Sequence, residues 1–125
     1  MSLNFDPNQN CYLFNKKDTV PLVFIHGVGL DHQMWGHQIS YFNKYSTLTY
    51  DLLGHGKTPW NKNKLTLKDF SNQLLELLDH LKIEKVNLIG FSLGSLIALD
   101  FSSHFQKKIE KLILIGTTYK RSDEE

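Results

Sequence analysis

Hydrophobic positions along the chain switch between two periods. Residues 20–26 (VPLVFIH) form a short apolar run closed by a glycine, the pattern of a buried parallel strand. Residues 46–51 (STLTYD), rich in β-branched and aromatic side chains, predict a second strand. Residues 85–90 (KVNLIG) and 109–116 (IEKLILIG) predict a third and a fourth, and residues 12–14 a short antiparallel strand ahead of them. The segments between have helical spacing. Residues 35–42 predict a short helix. Phe70, Leu74, Leu77, Leu78 and Leu81 fall on one face of a longer one. Thr66 can cap that helix, and Asp69 three residues on completes a variant of the capping box. Residues 92–105 predict a further helix with Leu93, Leu96, Ile97 and Phe101 on its apolar side.

Alternation of strand and helix forces the parallel strands to be joined by crossovers, so helices cover both faces of the sheet. The expected class is α/β, a three-layer sandwich with a mostly parallel sheet. No internal repeat, low-complexity tract or linker divides the chain, and its 125 residues suit a single domain. In such sheets chemistry collects at the carboxyl ends of the strands. Three glycine-rich segments, residues 26–29, 54–59 and 90–94, each follow a strand there.

Composition narrows the classes. Hydrophobic residues make up 41% and charged residues 22%, which is globular rather than disordered. A formal net charge of +1 gives no basic surface that would hold nucleic acid. Cys11 is the single cysteine, which excludes an intramolecular disulfide and suits an inert thiol in a reducing compartment. Residues 1–7 lack the basic and apolar regions of a signal peptide, and no apolar run approaches the roughly 20 residues that span a bilayer. The expectation is a cytoplasmic protein with no membrane partner. Neither G-x-G-x-x-G nor a P-loop is present, so nucleotide binding is disfavoured. No cofactor or metal is expected.

Gly90-Phe91-Ser92-Leu93-Gly94 fits G-x-S-x-G between a predicted strand and a predicted helix. A serine at the tip of so tight a turn needs strained dihedrals, and side chains two residues to either side would collide with the turn. The turn lifts the hydroxyl clear and sets it at a helix N-terminus, where free N–H groups favour developing negative charge. The N–H of Leu93 can then donate to an oxyanion. The plainer alternative is a serine that caps a helix after glycines that end a strand; the strand–helix context favours the elbow. His26-Gly27-Val28-Gly29 follows the first parallel strand, and its glycines allow the Val28 N–H to serve as a second oxyanion donor. Alone it would read equally well as a simple glycine turn.

With Asp31-His32-Gln33-Met34-Trp35 and Tyr50-Asp51-Leu52-Leu53-Gly54-His55-Gly56-Lys57-Thr58, these motifs occur in an order that resembles the N-terminal half of an α/β-hydrolase. The branch most similar is that of esterases, enol-lactonases and carbon–carbon-bond hydrolases, over roughly residues 12–118. The resemblance implies that Ser92 is the nucleophile and that the backbones of Val28 and Leu93 form the oxyanion hole. It implies structural roles for His26, Gly27, Gly29, Asp51, Gly54, His55, Gly56, Gly90 and Gly94. Dehalogenases and epoxide hydrolases of this fold carry aspartate at the elbow, so serine points to acyl chemistry on a small ester, thioester or lactone.

Such a serine needs a base and an orienting acid, which in this family follow it in the order acid, then histidine. Downstream of Ser92 the chain has one histidine, His104, twelve residues along the same helix. A rise of about 1.5 Å per residue puts it about 18 Å away, beyond hydrogen-bond reach. His80 ends the preceding helix. His32 and His37 lie near the oxyanion loop but are poor triad candidates. Asp123, Glu124 and Glu125 fall where family members begin their lid. The acid and base are therefore expected beyond residue 125, with lid and C-terminal part absent and the chain nearly inactive by itself. A piece of a longer chain, an assembly with a second chain and a short relative stay open, the first favoured. The strand over residues 109–116 would then expose an apolar edge, with marginal stability or self-association. A ligand-binding or sensing relative without turnover, or an inactive fragment, are the rival readings.

Overall fold

The computed structural model describes residues 2–60 and 62–117. They form one six-stranded sheet in the order β1-β2-β4-β3-β5-β6. The strands are β1 (Asn4–Phe5), β2 (Cys11–Asn15), β3 (Leu22–Ile25), β4 (Thr47–Tyr50), β5 (Val86–Phe91) and β6 (Ile109–Ile115). β4, β3, β5 and β6 are mutually parallel, while β2 runs antiparallel to β4 and β1 antiparallel to β2. The α/β class with a mostly parallel sheet is therefore what the chain folds into. β1, two residues long and exposed, has no periodic signal that a sequence pattern could carry.

Helices α2 (Leu67–His80) and α3 (Leu93–His104) cover one face and α1 (Gly36–Tyr41) the other. Thr66 caps α2 as expected: its hydroxyl accepts from the Asp69 N–H at 3.2 Å, and the Asp69 carboxylate accepts from the Thr66 N–H at 2.9 Å. Leu74, Leu77 and Leu78 on the predicted face are fully buried against Tyr50, Leu88 and Phe101. On the other face Phe24 packs against Trp35 with ring centroids 5.0 Å apart, and Ile89 completes that smaller cluster.

Two local expectations need correction. The single helix over 35–42 is instead a 3-10 turn, His32–Trp35, followed by α1. Asp31 starts that turn early by accepting from the Gln33 N–H at 2.8 Å, a cap that apolar spacing does not reveal. In α3, Ile97 and Phe101 are buried as expected and half-buried Leu93 packs against the same core, but half-buried Leu96 does not join it. Gly94, Ser95 and Ala98 are buried as well, where the helix lies against β3, β5 and β6, and at Gly94 no side chain fits. No helix among the described residues is long and apolar enough to cross a membrane.

Candidate active site

Ser92 stands between β5 and α3 with φ 55° and ψ −115°. Few L-residues tolerate such a backbone, and it persists where the surroundings over-determine it. Those surroundings are specific. The Ser92 N–H donates to the Ile115 carbonyl of β6 at 2.9 Å. Its carbonyl accepts from the Ser95 N–H at 2.9 Å and from the Ser95 hydroxyl at 2.5 Å. A Cβ on Gly90 would strike the Gly94 carbonyl and come within 2.7 Å of the Ser95 Cα. A Cβ on Gly94 would strike the Ile25 carbonyl and lie 2.7 Å from the His26 carbonyl oxygen. The glycines thus serve two purposes. Gly90 lets the turn close, and Gly94 lets the start of α3 sit directly on the end of β3.

That second contact brings the His26–Gly29 loop to the serine. Gly27 lies against Phe91, where an added Cβ would be 3.1 Å from the ring. Gly29 turns the loop with φ 76°, and the Leu30 N–H closes it on the Gly27 carbonyl at 3.2 Å. Val28 is 69% exposed at the tip. Neither the Val28 N–H nor the Leu93 N–H, the first of α3, bonds to another backbone group among the described residues. Leu93 follows the serine directly, and Val28 sits on the loop whose Gly27 packs against Phe91.

Behind the loop, His26 is fully buried. Its Nε2 accepts from the Leu52 N–H at 2.9 Å, so the ring proton resides on Nδ1, which donates to the Gly27 carbonyl at 2.7 Å. Burial pulls the His26 imidazole below its ordinary value, against the opposing pull of the Gly27 hydrogen bond. A ring clamped at both nitrogens in its neutral form is a strut between two loops. His55 stacks near it with centroids 5.1 Å apart, and its Nδ1 donates to the Leu53 carbonyl at 3.0 Å.

Asp51 is the other strut. One carboxylate oxygen accepts from the His32 N–H at 2.9 Å and from the His32 Nδ1 at 2.7 Å, the other from the Lys57 N–H at 2.9 Å. Burial works to raise its carboxyl, but these hydrogen bonds outweigh it and hold Asp51 below the usual carboxylate range. Gly56, with φ 50°, leaves room for the carboxylate, which an added Cβ would strike. Asp31, His32 and Asp51 bring possible metal-ligand atoms within 4.8 Å of one another. Asp31 already caps the 3-10 turn and both Asp51 oxygens are bonded, so the cluster is a hydrogen-bonded latch between loops.

The remaining histidines are scattered. His37, His80 and His104 are exposed, and His104 bonds to the Asp100 carbonyl of its own helix at 2.8 Å. Among the described residues no histidine hydrogen-bonds to the Ser92 hydroxyl. Asp123, Glu124 and Glu125 lie outside the described residues.

Sequence reasoning passed over three supporting residues. Gln73 is buried on the apolar face of α2, where its amide donates to the Asp51 carbonyl at 2.9 Å and accepts from the Leu53 N–H at 3.1 Å. Asn10 accepts from the same amide at 3.1 Å, and the Thr58 hydroxyl accepts from the Cys11 N–H at 3.0 Å. A glutamine amid four leucines and a phenylalanine was the available signal, since a buried amide must find partners.

A family model described as the alpha/beta hydrolase fold matches residues 20–124. The chain belongs to the α/β-hydrolase family. It is 33% identical over 122 residues to the (E)-2-((N-methylformamido)methylene)succinate hydrolase of Acinetobacter baylyi, a match covering 97% of this chain and 46% of that protein. It is 30% identical over 112 residues to 3-oxoadipate enol-lactonase 2 of the same organism, covering 89% of this chain and 42% of the relative. A crystal structure of a hydrolase from Pseudomonas aeruginosa PA01 superposes with a TM-score of 0.87 at 25% identity, over 98% of this chain and 48% of that one. The chain thus spans about half the length of these α/β-hydrolases.

Proposed function

We propose that Ser92 is the nucleophile of a serine hydrolase that cleaves a small carboxylic ester, thioester or lactone through an acyl-enzyme. The observation that carries this reading is the strained serine at a strand-to-helix tip, followed directly by the unbonded Leu93 N–H, with the unbonded Val28 N–H on the loop that packs against Phe91. In the reaction the hydroxyl oxygen adds to the substrate carbonyl while its proton passes to a base. The carbonyl oxygen gains negative charge, which the two N–H groups accept as hydrogen bonds. The leaving oxygen or sulfur departs with a proton, and water then releases the acid from Ser92. The enol-lactonase among the relatives supports the lactone end of this range. A reducing, cytoplasmic setting suits the buried Cys11, whose thiol burial and the nearby Asp51 push up to about 11.

In this reading Ser92 is the nucleophile and Val28 and Leu93 are the oxyanion donors, while no histidine among the described residues hydrogen-bonds to Ser92. The test follows from that division of labour. The chain is incubated with a fluorophosphonate probe, with and without added imidazole as a surrogate base. Weak labelling that imidazole increases severalfold, and that Ser92→Ala removes, is expected. Labelling equal in the Ser92→Ala protein would sink the proposal. Strong labelling without imidazole would place a base within the chain, and His32, the histidine held by Asp51, is then the residue to replace.

A further inference from the structure

On the side of the sheet away from β6, a cavity of about 400 Å³ opens between the β1–β2 turn, the loop after β4 and α2. Asn8, Gln9 and Asn10 line it from the turn, Pro59 and Trp60 from the loop, and Glu76 from the helix. A smaller hollow of about 200 Å³ lies on the same side of α2, sharing Trp60 and Glu76 and adding Lys62 and Asp69. Neither includes Ser92, and the proposed hydrolase chemistry uses none of these side chains.

The rim is built in advance. Asp6 is 5% exposed and pins the turn, with one carboxylate oxygen accepting from the N–H groups of Asn8 and Asn10 at 2.9 and 2.8 Å. Its other oxygen accepts from the Asn10 amide at 2.9 Å. Asn10 is 1% exposed and is held in turn by Gln73 at 3.1 Å. Gln9 is kept at φ 67°, a conformation that a side chain other than glycine adopts at a cost. The larger cavity therefore has a fixed polar floor rather than a flexible one.

The cavity wall itself is negative. The charged side chain on its lining is Glu76, and the negative Asp6 stands behind Asn10. Burial, and then the charge of Asp6, raise the Glu76 carboxyl, while the Asn10 amide opposes them. A cation would relieve that repulsion. Trp60 offers the complementary surface, because a ring face attracts cations. It already does so within the chain: the Lys62 ammonium stands 5.6 Å from the Trp60 ring centroid. Lys62 shares its hollow with Asp69, and so shows the kind of group that this combination of ring and carboxylates receives.

We infer that the cavity bounded by Trp60, Glu76 and the Asn8–Asn10 turn binds a small organic ammonium ion, its charge between the Glu76 carboxylate and the Trp60 face and its polar remainder against the amides of the turn. Lys62 acts as an internal competitor for the ring. Exposed surface surrounds the cavity, so affinity in the millimolar range is expected.

The full chain is titrated with choline while the Trp60 indole N–H is followed by NMR, with glycerol of similar size as the neutral control. Saturable shifts with choline and none with glycerol are expected. Glu76→Gln, an exposed isosteric change that leaves α2 intact, weakens choline at least tenfold. Lys62→Ala strengthens it by removing the competing ammonium. Equal binding of choline to Glu76→Gln, saturable binding of glycerol in place of choline, or no saturable shift at all would each overturn the assignment. Trp60→Ala, read by calorimetry, should abolish binding; retained affinity there would also overturn it.

Discussion

At the scale of single residues, strain and protonation carry the testable content. Ser92 holds φ 55° although its side chain prefers other regions, and such a conformation costs on the order of 1–3 kcal/mol. Ser92→Gly removes both the strain and the proposed nucleophile. It should stabilise the chain by about 1 kcal/mol in urea unfolding, after the extra entropy of glycine in the unfolded state is subtracted. A destabilised Ser92→Gly protein would show that the turn is not strained. His26 gives a pH signature. Its imidazole is held below the ordinary value of 6.5, so the unfolded chain binds a proton that the folded chain refuses. The stability it contributes is complete above pH 6.5 and is lost as pH falls from there through the depressed folded value. Unfolding free energy should therefore decline between pH 7 and pH 5, before most carboxylates titrate. A flat profile over that range would contradict the two-ended clamp from Leu52 to Gly27. Asp51 acts in the same direction at lower pH, since its depressed carboxyl adds stability that is lost as pH falls through its folded value.

At the scale of elements, α2 and α3 differ in how they were legible. α2 carries its start signal and its buried face in one stretch, and both are local properties. Thr66→Ala leaves the Asp69 N–H without its cap and should cost about 1 kcal/mol by chemical denaturation. Replacing fully buried Leu77 with alanine opens the core beneath α2 and should cost about 2–5 kcal/mol. α3 follows a different rule. Its apolar spacing put Leu93, Leu96, Ile97 and Phe101 on one side, but its position is fixed by Gly94 against the carbonyls of Ile25 and His26. Gly94→Ala should therefore lose about 3 kcal/mol or fail to fold, far more than an alanine costs on an exposed helix face. A folded Gly94→Ala protein of unchanged stability would mean that α3 does not approach β3 as closely as described.

At the scale of the whole molecule, the two edges of the sheet are unlike. β1 is two residues long and offers little to pair with. β6 runs for seven residues, and its outer side has no strand beside it among the described residues. Ile113 and Ile115, which pair with Ile89 and Phe91 on the α1 face, are 51% and 42% exposed. Apolar edge and apolar face together favour association with another chain. The 125-residue chain is expected to sediment as a concentration-dependent oligomer, and Ile113→Lys with Ile115→Lys to shift it towards monomer. Monomeric sedimentation of the unaltered chain at high concentration would refute this.

Much of the molecule was written in the sequence because the relevant physics is local. Strand and helix periods, the capping box of α2 and the G-x-S-x-G turn each depend on neighbours a few residues apart, and their alternation selects a parallel sheet. The order of the glycine-rich motifs was enough to indicate the family. What the sequence left open was set by groups distant along the chain. His26 meets Leu52, Asp51 meets His32, and Gln73 ties α2 to Asn10 and Asp51, because each buried polar group must find partners that only the closed fold supplies. Gly94 against Ile25, which brings the His26–Gly29 loop towards the elbow, is of the same kind. The sequence thus determined most of the elements and the tight strand-to-helix turn that carries Ser92. The tertiary structure decided what surrounds that residue, because contacts between distant segments form only when the sheet assembles.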